Sequence, residues 1–169
     1  MRHAAIVSTA RTPIAKAFRG AFNNTTAPTL GGHVIGEAVR RAGIEGAEVD
    51  DVIMGTSFQA GTTGMNIGRM SALAGGLPDS VPGMSIDRQC ASGLMSVATA
   101  AKLIIVDGQN VVVAGGVESV SLVQGKAFEF AMSQKDPTLL RLSPNAYMPM
   151  LETAELVARK YGISRRVQH

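Results

Sequence analysis

Short apolar runs alternate with longer helical patterns along this chain, and that alternation restricts the fold more than any other feature. His3 to Thr9, Asp51 to Thr56, Val81 to Asp87 and Asn110 to Ala114 read as strands. The fourth is apolar after Asn110 and is expected to be buried on both faces. Between them, Thr29 to Ala42 carries Leu30, Val34, Ala38 and Ala42 at helical spacing, with Gly43 as a stop. Asn66 to Ala74 reads as a short helix ended by Gly75, Gly76 and Pro78. Ala91 to Val106 reads as a longer one, closed by Asp107-Gly108. Strand–helix alternation predicts an α/β fold with a parallel sheet. In such sheets ligands bind beyond the carboxyl ends of the strands. The informative segments are therefore Arg11 to Lys16, Ser57 to Gly64, Arg88 to Cys90 and Gly116 to Ser121.

The pattern changes after Ser121. Leu122 to Tyr147 shows no period and contains Pro137 and Pro144, so an irregular excursion is expected. Met150 to Tyr161 reads as a helix with Leu151, Ala154, Val157 and Ala158 on one face, ended by Gly162. Ile163 to Arg166 resembles the cap of a further helix. The expected division is 1–121 and 122–169.

Composition excludes several functions. The chain has 169 residues, 46% hydrophobic and 17% charged, which argues against disorder. Its net charge of +3 is spread out, and aromatics are only 4% with no Trp, so no nucleic-acid surface is expected. A single cysteine rules out an internal disulfide and a multi-cysteine metal site, and implies a reducing, cytoplasmic location. No apolar run reaches the roughly 18 residues of a membrane span. The N-terminal 36 residues hold four basic and no acidic side chains, like a transit peptide, but the strand pattern at Ala4 to Val7 marks the start of the fold itself.

That cysteine, Cys90, falls where the third strand hands over to a helix. The first amides of a helix lack internal partners, and its dipole favours negative charge there. A thiol so placed gains thiolate character, and nearby amides can receive an oxyanion. The same position suits a small packed residue, since free cysteine is commonly buried. Both roles are open on position alone. Ala91, Ser92 and Gly93, then Ala98, Ala100 and Ala101, are small enough for neighbours to approach the helix closely.

Five segments in order resemble the thiolase family: R-T-P-I-A-K at Arg11 to Lys16, V-I-M-G at Val52 to Gly55, D-R-Q-C-A-S-G-L at Asp87 to Leu94, G-G-V-E-S-V-S at Gly115 to Ser121, and T-A-E-L-V-A-R-K-Y-G-I-S at Thr153 to Ser164. The resemblance implies a thiolase-like mixed or parallel sheet with flanking helices. It would be an incomplete first half of a two-fold-repeated fold, followed by the start of a substrate-binding loop domain. It implies acyl transfer between CoA thioesters, in which two acyl-CoA molecules interconvert with a 3-oxoacyl-CoA and free CoA, a step of fatty acid metabolism. Cys90 would be the acylated nucleophile, its backbone N–H helping to hold the oxyanion, and Met150 would line the acyl pocket. Coenzyme A is implied as substrate, with no metal or further cofactor. Ala15 in place of a glycine, and P-M-L at Pro149 to Leu151 in place of H-M-G, depart from short-chain biosynthetic members and leave broader 3-oxoacyl-CoA cleavage open.

A cysteine nucleophile needs a base. His3, His33 and His169 are the histidines available, and none sits in a segment expected to reach Cys90. The resemblance implies that the activating histidine, a second cysteine and an Asn-Glu motif come from a second half, as does the partner surface for the helix after Cys90. The last strand of the first half would follow the loop domain. The implied partners are a homo-oligomer, dimer or tetramer, or a complementary C-terminal half. The chain is then expected to be a fragment, a split subunit or a truncated product. The rival readings are a catalytically inactive interaction module and a ketoacyl-synthase-like condensing enzyme. Asp50-Asp51 is expected in a solvated turn, Glu118 in a buried hydrogen-bonded structural role, and Lys160, Arg165 and Arg166 on a solvated face.

Overall fold

A computed structural model describes residues 2–168. The elements in chain order are α1 (Ala27–Ala42), β1 (Asp51–Gly55), α2 (Ile67–Ala74), β2 (Gly83–Ile86), α3 (Ser92–Lys102), β3 (Val112–Gly116), α4 (Gly125–Ser133), α5 (Pro137–Leu142) and α6 (Met150–Tyr161). The chain divides into two compact units, Met1–Ala127 and Phe128–His169.

In the first unit the strands form a parallel sheet in the order β2-β1-β3. β1 is central and nearly continuous in its apolar character, so it is buried on both faces, with Val52 and Ile53 fully enclosed. Its side chains alternate. Val52 and Met54 join the apolar core shared with Ile35 and Val39 of α1 and Ile67 and Ala72 of α2. Gly55 faces the other way, against the start of α3. The result is three layers, with α1 and α2 on one face of the sheet and α3 on the other.

Local chemistry sets the helix ends. Pro28 opens α1, and Gly43 closes it in the left-handed region at φ 69°. Arg40 and Arg41 in its last turn pair with Glu37 at 2.7 and 2.6 Å, which lowers the Glu37 carboxyl to about 2. Asn66 caps α2, accepting from Arg69 N–H and donating its amide to Gly83 O at 2.7 Å.

Several expectations need correction. Residues 3–9 form no strand. The segment runs extended, held at its ends by Arg2, which donates to Gly108 O at 2.8 Å, by Ser8, which donates to Ala38 O at 2.7 Å, and by Arg41, which donates to Thr9 O. Among the described residues, no backbone ladder joins it to the sheet. Instead a groove of about 570 Å³ separates it from the free edge of β3, walled by α1 and α3. For the same reason β3 is half-buried where burial on both faces was expected: among the described residues, one of its edges has no neighbouring strand. β3 also begins two residues late, because Asp50 accepts the amides of Asn110 and Val111 at 2.6 and 3.0 Å. Those bonds make Asp50 a clamp between strand starts, still exposed as expected, whereas Asp51 is partly buried in β1.

α3 continues as a π-helical turn, Leu103–Asp107, ended by left-handed Gly108. The stretch Gln89–Asp107 has 19 residues, with an 18-residue window of mean hydropathy 1.5; by length and composition alone it would pass as a membrane span, a test that a helix packed on a sheet also passes. Here it packs on β1 and β3, with Ser92 and Ser96 buried against the sheet. Leu94 and Val106 point outward, each 76% exposed.

The second unit is helical where irregular chain was expected. Asp136 caps α5 by accepting Leu139 N–H at 2.6 Å, a short polar signal that periodicity does not register. α6 matches its expected bounds and ends at left-handed Gly162. Ile163–Arg166 turns without starting a helix. None of the residues of α5 or α6 is buried.

Candidate active site

Because the strands are parallel, Thr56, Asp87 and Val117 leave the sheet at one edge. Side chains tie the loops there. Glu118 accepts from Ser57 N–H at 2.7 Å, Ser57 Oγ at 2.6 Å and Thr56 Oγ1 at 3.2 Å. Glu118 is exposed, not buried as expected, since it stands on the rim beyond β3, but its bonding is structural as anticipated. The early loop joins as well: Phe18 N–H donates to Ser121 Oγ at 2.9 Å, and Ser121 donates to Asn23.

Cys90 lies on this edge, between the end of β2 and the start of α3, and its thiol is exposed. The packed-residue alternative therefore does not describe it. The turn before it is unusual. Gln89 has φ 49°, a left-handed conformation that costs a non-glycine residue about 1 kcal/mol or more. Side chains hold it there. Asp87 Oδ1 accepts Gln89 N–H at 2.7 Å. Ser92, 3% exposed, accepts Arg88 N–H at 2.8 Å and donates to Gln89 O at 2.6 Å. Two backbone bonds close the turn, Ala91 N–H to Arg88 O and Ser92 N–H to Gln89 O. The amides of Ala91 and Ser92 are thus already used. No acceptor for the Cys90 amide occurs among these turn and side-chain bonds.

Glycines allow α3 to bring this turn onto the sheet. A Cβ on Gly55 would overlap the Ser92 carbonyl, and one on Gly116 would lie 3.2 Å from Gly93 Cα. Ser96, fully buried, places its hydroxyl 2.7 Å from Gly115 O, which anchors the next turn of α3 to β3.

The other candidates lie elsewhere. His3 is exposed on the extended N-terminal segment and His33 is exposed on α1. Neither shares a hydrogen bond with Cys90 among the described residues, and His169 lies outside them. Met150 is the first residue of α6 in the second unit, 72% exposed. Lys160, Arg165 and Arg166 are exposed, as expected. Sequence reasoning did not single out Asp87, Gln89 and Ser92. The available signal was an acidic residue two positions before Gln89 and a hydroxyl two positions after Cys90, the spacings of local side-chain-to-backbone bonds.

A three-layer α/β unit with an exposed cysteine, presented on a locked turn between a parallel strand and a helix, defines a class of cysteine-bearing sites at the carboxyl edge of a sheet. The family model for the thiolase N-terminal domain matches residues 4–169. The chain belongs to the thiolase family. It is 38% identical to a 3-ketoacyl-CoA thiolase of Bacillus subtilis over 99% of its length. It is 39% identical to an acetyl-CoA acetyltransferase of Cupriavidus necator, also over 99%. The chain spans 42% and 44% of those relatives' lengths. A crystal structure of the Bacillus anthracis acetyl-CoA acetyltransferase superposes with a TM-score of 0.81 at 35% identity, over 98% of this chain and 43% of that one. A thiolase from Ascaris suum, solved in complex with coenzyme A, superposes with a TM-score of 0.64 at 34% identity, over 69% and 30%.

Proposed function

We propose that this chain carries the acyl-accepting part of a thiolase-type acyltransferase acting on CoA thioesters. The observation that carries the reading is the exposed Cys90 thiol on its locked turn, in a chain whose matched relatives are named thiolases and acetyl-CoA acyltransferases. In the proposed step the Cys90 thiolate attacks the thioester carbonyl. The bond from carbonyl carbon to CoA sulfur breaks, the acyl group passes to Cys90, and CoA leaves as thiolate. In this reading the backbone N–H of Cys90 helps hold the oxyanion formed on the way. Met150 contributes to an acyl pocket in this reading. The base that generates the thiolate comes from outside these residues, since the exposed His3 and His33 make no bond to Cys90. The reading carries with it a coenzyme A substrate, no metal or redox cofactor, a cytoplasmic location, and assembly with copies of itself or a complementary half. The groove beside β3 supports the last point, because it leaves an apolar sheet edge for added chain.

The test is acetyl-CoA labelling followed by peptide mass spectrometry, with the chain alone and with a complementary C-terminal polypeptide from a relative. Acetylation at Cys90 in the completed form, lost in Cys90→Ser, is expected. No labelling in the completed form overturns the reading. A second reading, a catalytically silent interaction module, rests on the same exposed histidines. It predicts that neither form turns over substrate.

A further inference from the structure

We propose that Ser92 is a positioning residue for Cys90, holding Gln89 in its left-handed conformation so that the thiol is presented outward; this rests on the acyltransferase reading above. The argument is geometric. Non-glycine residues enter the left-handed region only where surroundings over-determine them. Around Gln89 the surroundings do. Its N–H is fixed by Asp87 and its carbonyl receives both the N–H and the hydroxyl of Ser92. Ser92 also fixes the preceding peptide through Arg88 N–H. One buried hydroxyl therefore bonds the chain at two points just before Cys90, on a side chain that sits after it. Its own place is set from below, where Gly55 admits the Ser92 carbonyl against β1.

Loss of the hydroxyl frees Gln89 to relax to a negative φ, which rotates the Cys90 peptide and carries its thiol and amide away together. Asp87 still holds Gln89 N–H and the Ser92 N–H still reaches Gln89 O, but Gln89 O loses its second donor and Arg88 N–H its side-chain acceptor, so the turn is held less tightly. The device differs from simple helix capping, because its effect passes through the conformation of residue 89.

The experiment measures the rate of Cys90 alkylation by iodoacetamide in the full chain, with melting temperature recorded alongside. Ser92→Ala is expected to slow alkylation roughly tenfold. Ser92→Thr, which keeps the hydroxyl, is expected to retain most of the rate. Adding Gln89→Gly to Ser92→Ala is expected to restore at least part of it, since glycine adopts positive φ without the steric penalty. If Ser92→Ala does not fold, Asp87→Ala, at an exposed position, provides the same reading with a smaller slowing. Unchanged alkylation in a folded Ser92→Ala, or failure of Gln89→Gly to restore any rate, overturns the proposal. Alkylation needs no acyl-CoA, so slowed and rescued alkylation beside an unlabelled completed enzyme would sink the acyltransferase reading and keep the positioning role.

Discussion

At the scale of single residues, neighbouring identical side chains take opposite electrostatic roles. Asp50 accepts two backbone amides at the start of β3, and those bonds, from Val111 and then Asn110, hold its carboxyl below the ordinary value of 3.8. Asp51 is partly buried in β1, and desolvation raises its carboxyl above that value. The signs of the stability effects follow. Asp50 contributes stability above its unfolded-state value, and that contribution is lost as pH falls through its folded one. Asp51 in its charged form opposes folding, so its contribution is full below the unfolded value and lost as pH rises through the folded one. Asp50→Asn should therefore lower the unfolding free energy near neutral pH by about 1 kcal/mol or less given solvent screening, seen as a lower urea midpoint, and the gap should close in acid. Asp51→Asn should raise the midpoint near neutral pH, with the gain vanishing in acid. Equal midpoints for both variants at neutral pH would contradict these assignments. The sequence shows two adjacent carboxylates. It does not show which one meets the free amides of a strand sixty residues away, because β-pairing register is a long-range outcome.

At the scale of elements, the site depends on how closely α3 meets the sheet. Gly55 and Gly116 end neighbouring strands in register, and Gly93 lies on the helix between them. Gly55→Ala has no room without moving the Ser92 carbonyl, so α3 must shift outward. The expected outcome is destabilisation of about 1–3 kcal/mol, read from urea unfolding, with slower alkylation of Cys90. Wild-type stability and alkylation in Gly55→Ala would show that α3 can move freely, against this account. The glycines and small helix residues were legible as signs of close approach. Their partners were not, because a Gly-Gly pair looks the same whether it seats a helix or closes a turn. Helix ends were the most legible features: Gly43 and Gly162 both adopt the left-handed stop their positions suggested. The first strand was the least legible. His3 to Thr9 has strand composition, but a strand needs a neighbour to bond, and the adjacent place along β3 is an open groove.

At the scale of the whole molecule, exposed apolar surface sets the next expectation. Leu94 and Val106 on the α3 segment are each 76% exposed, and the groove beside β3 is lined by aliphatic side chains. Apolar surface of this kind draws partners or self-association. Adding the C-terminal portion of a thiolase relative should raise the melting temperature by several degrees and reduce binding of an apolar dye, by linkage to the folded state. An unchanged melting temperature with excess partner would count against complementation. The sequence by itself determined the α/β class, the helix stops and the lone cysteine between a strand and a helix, because these follow from local periodicity and residue chemistry. It also carried the family, through five short segments in order. Only the tertiary structure decided that residues 3–9 stand apart from the sheet, that β3 is an open edge, and that Asp87 and Ser92 lock the turn before Cys90. Those features depend on which backbone groups find partners, and that is settled by contacts between distant parts of the chain.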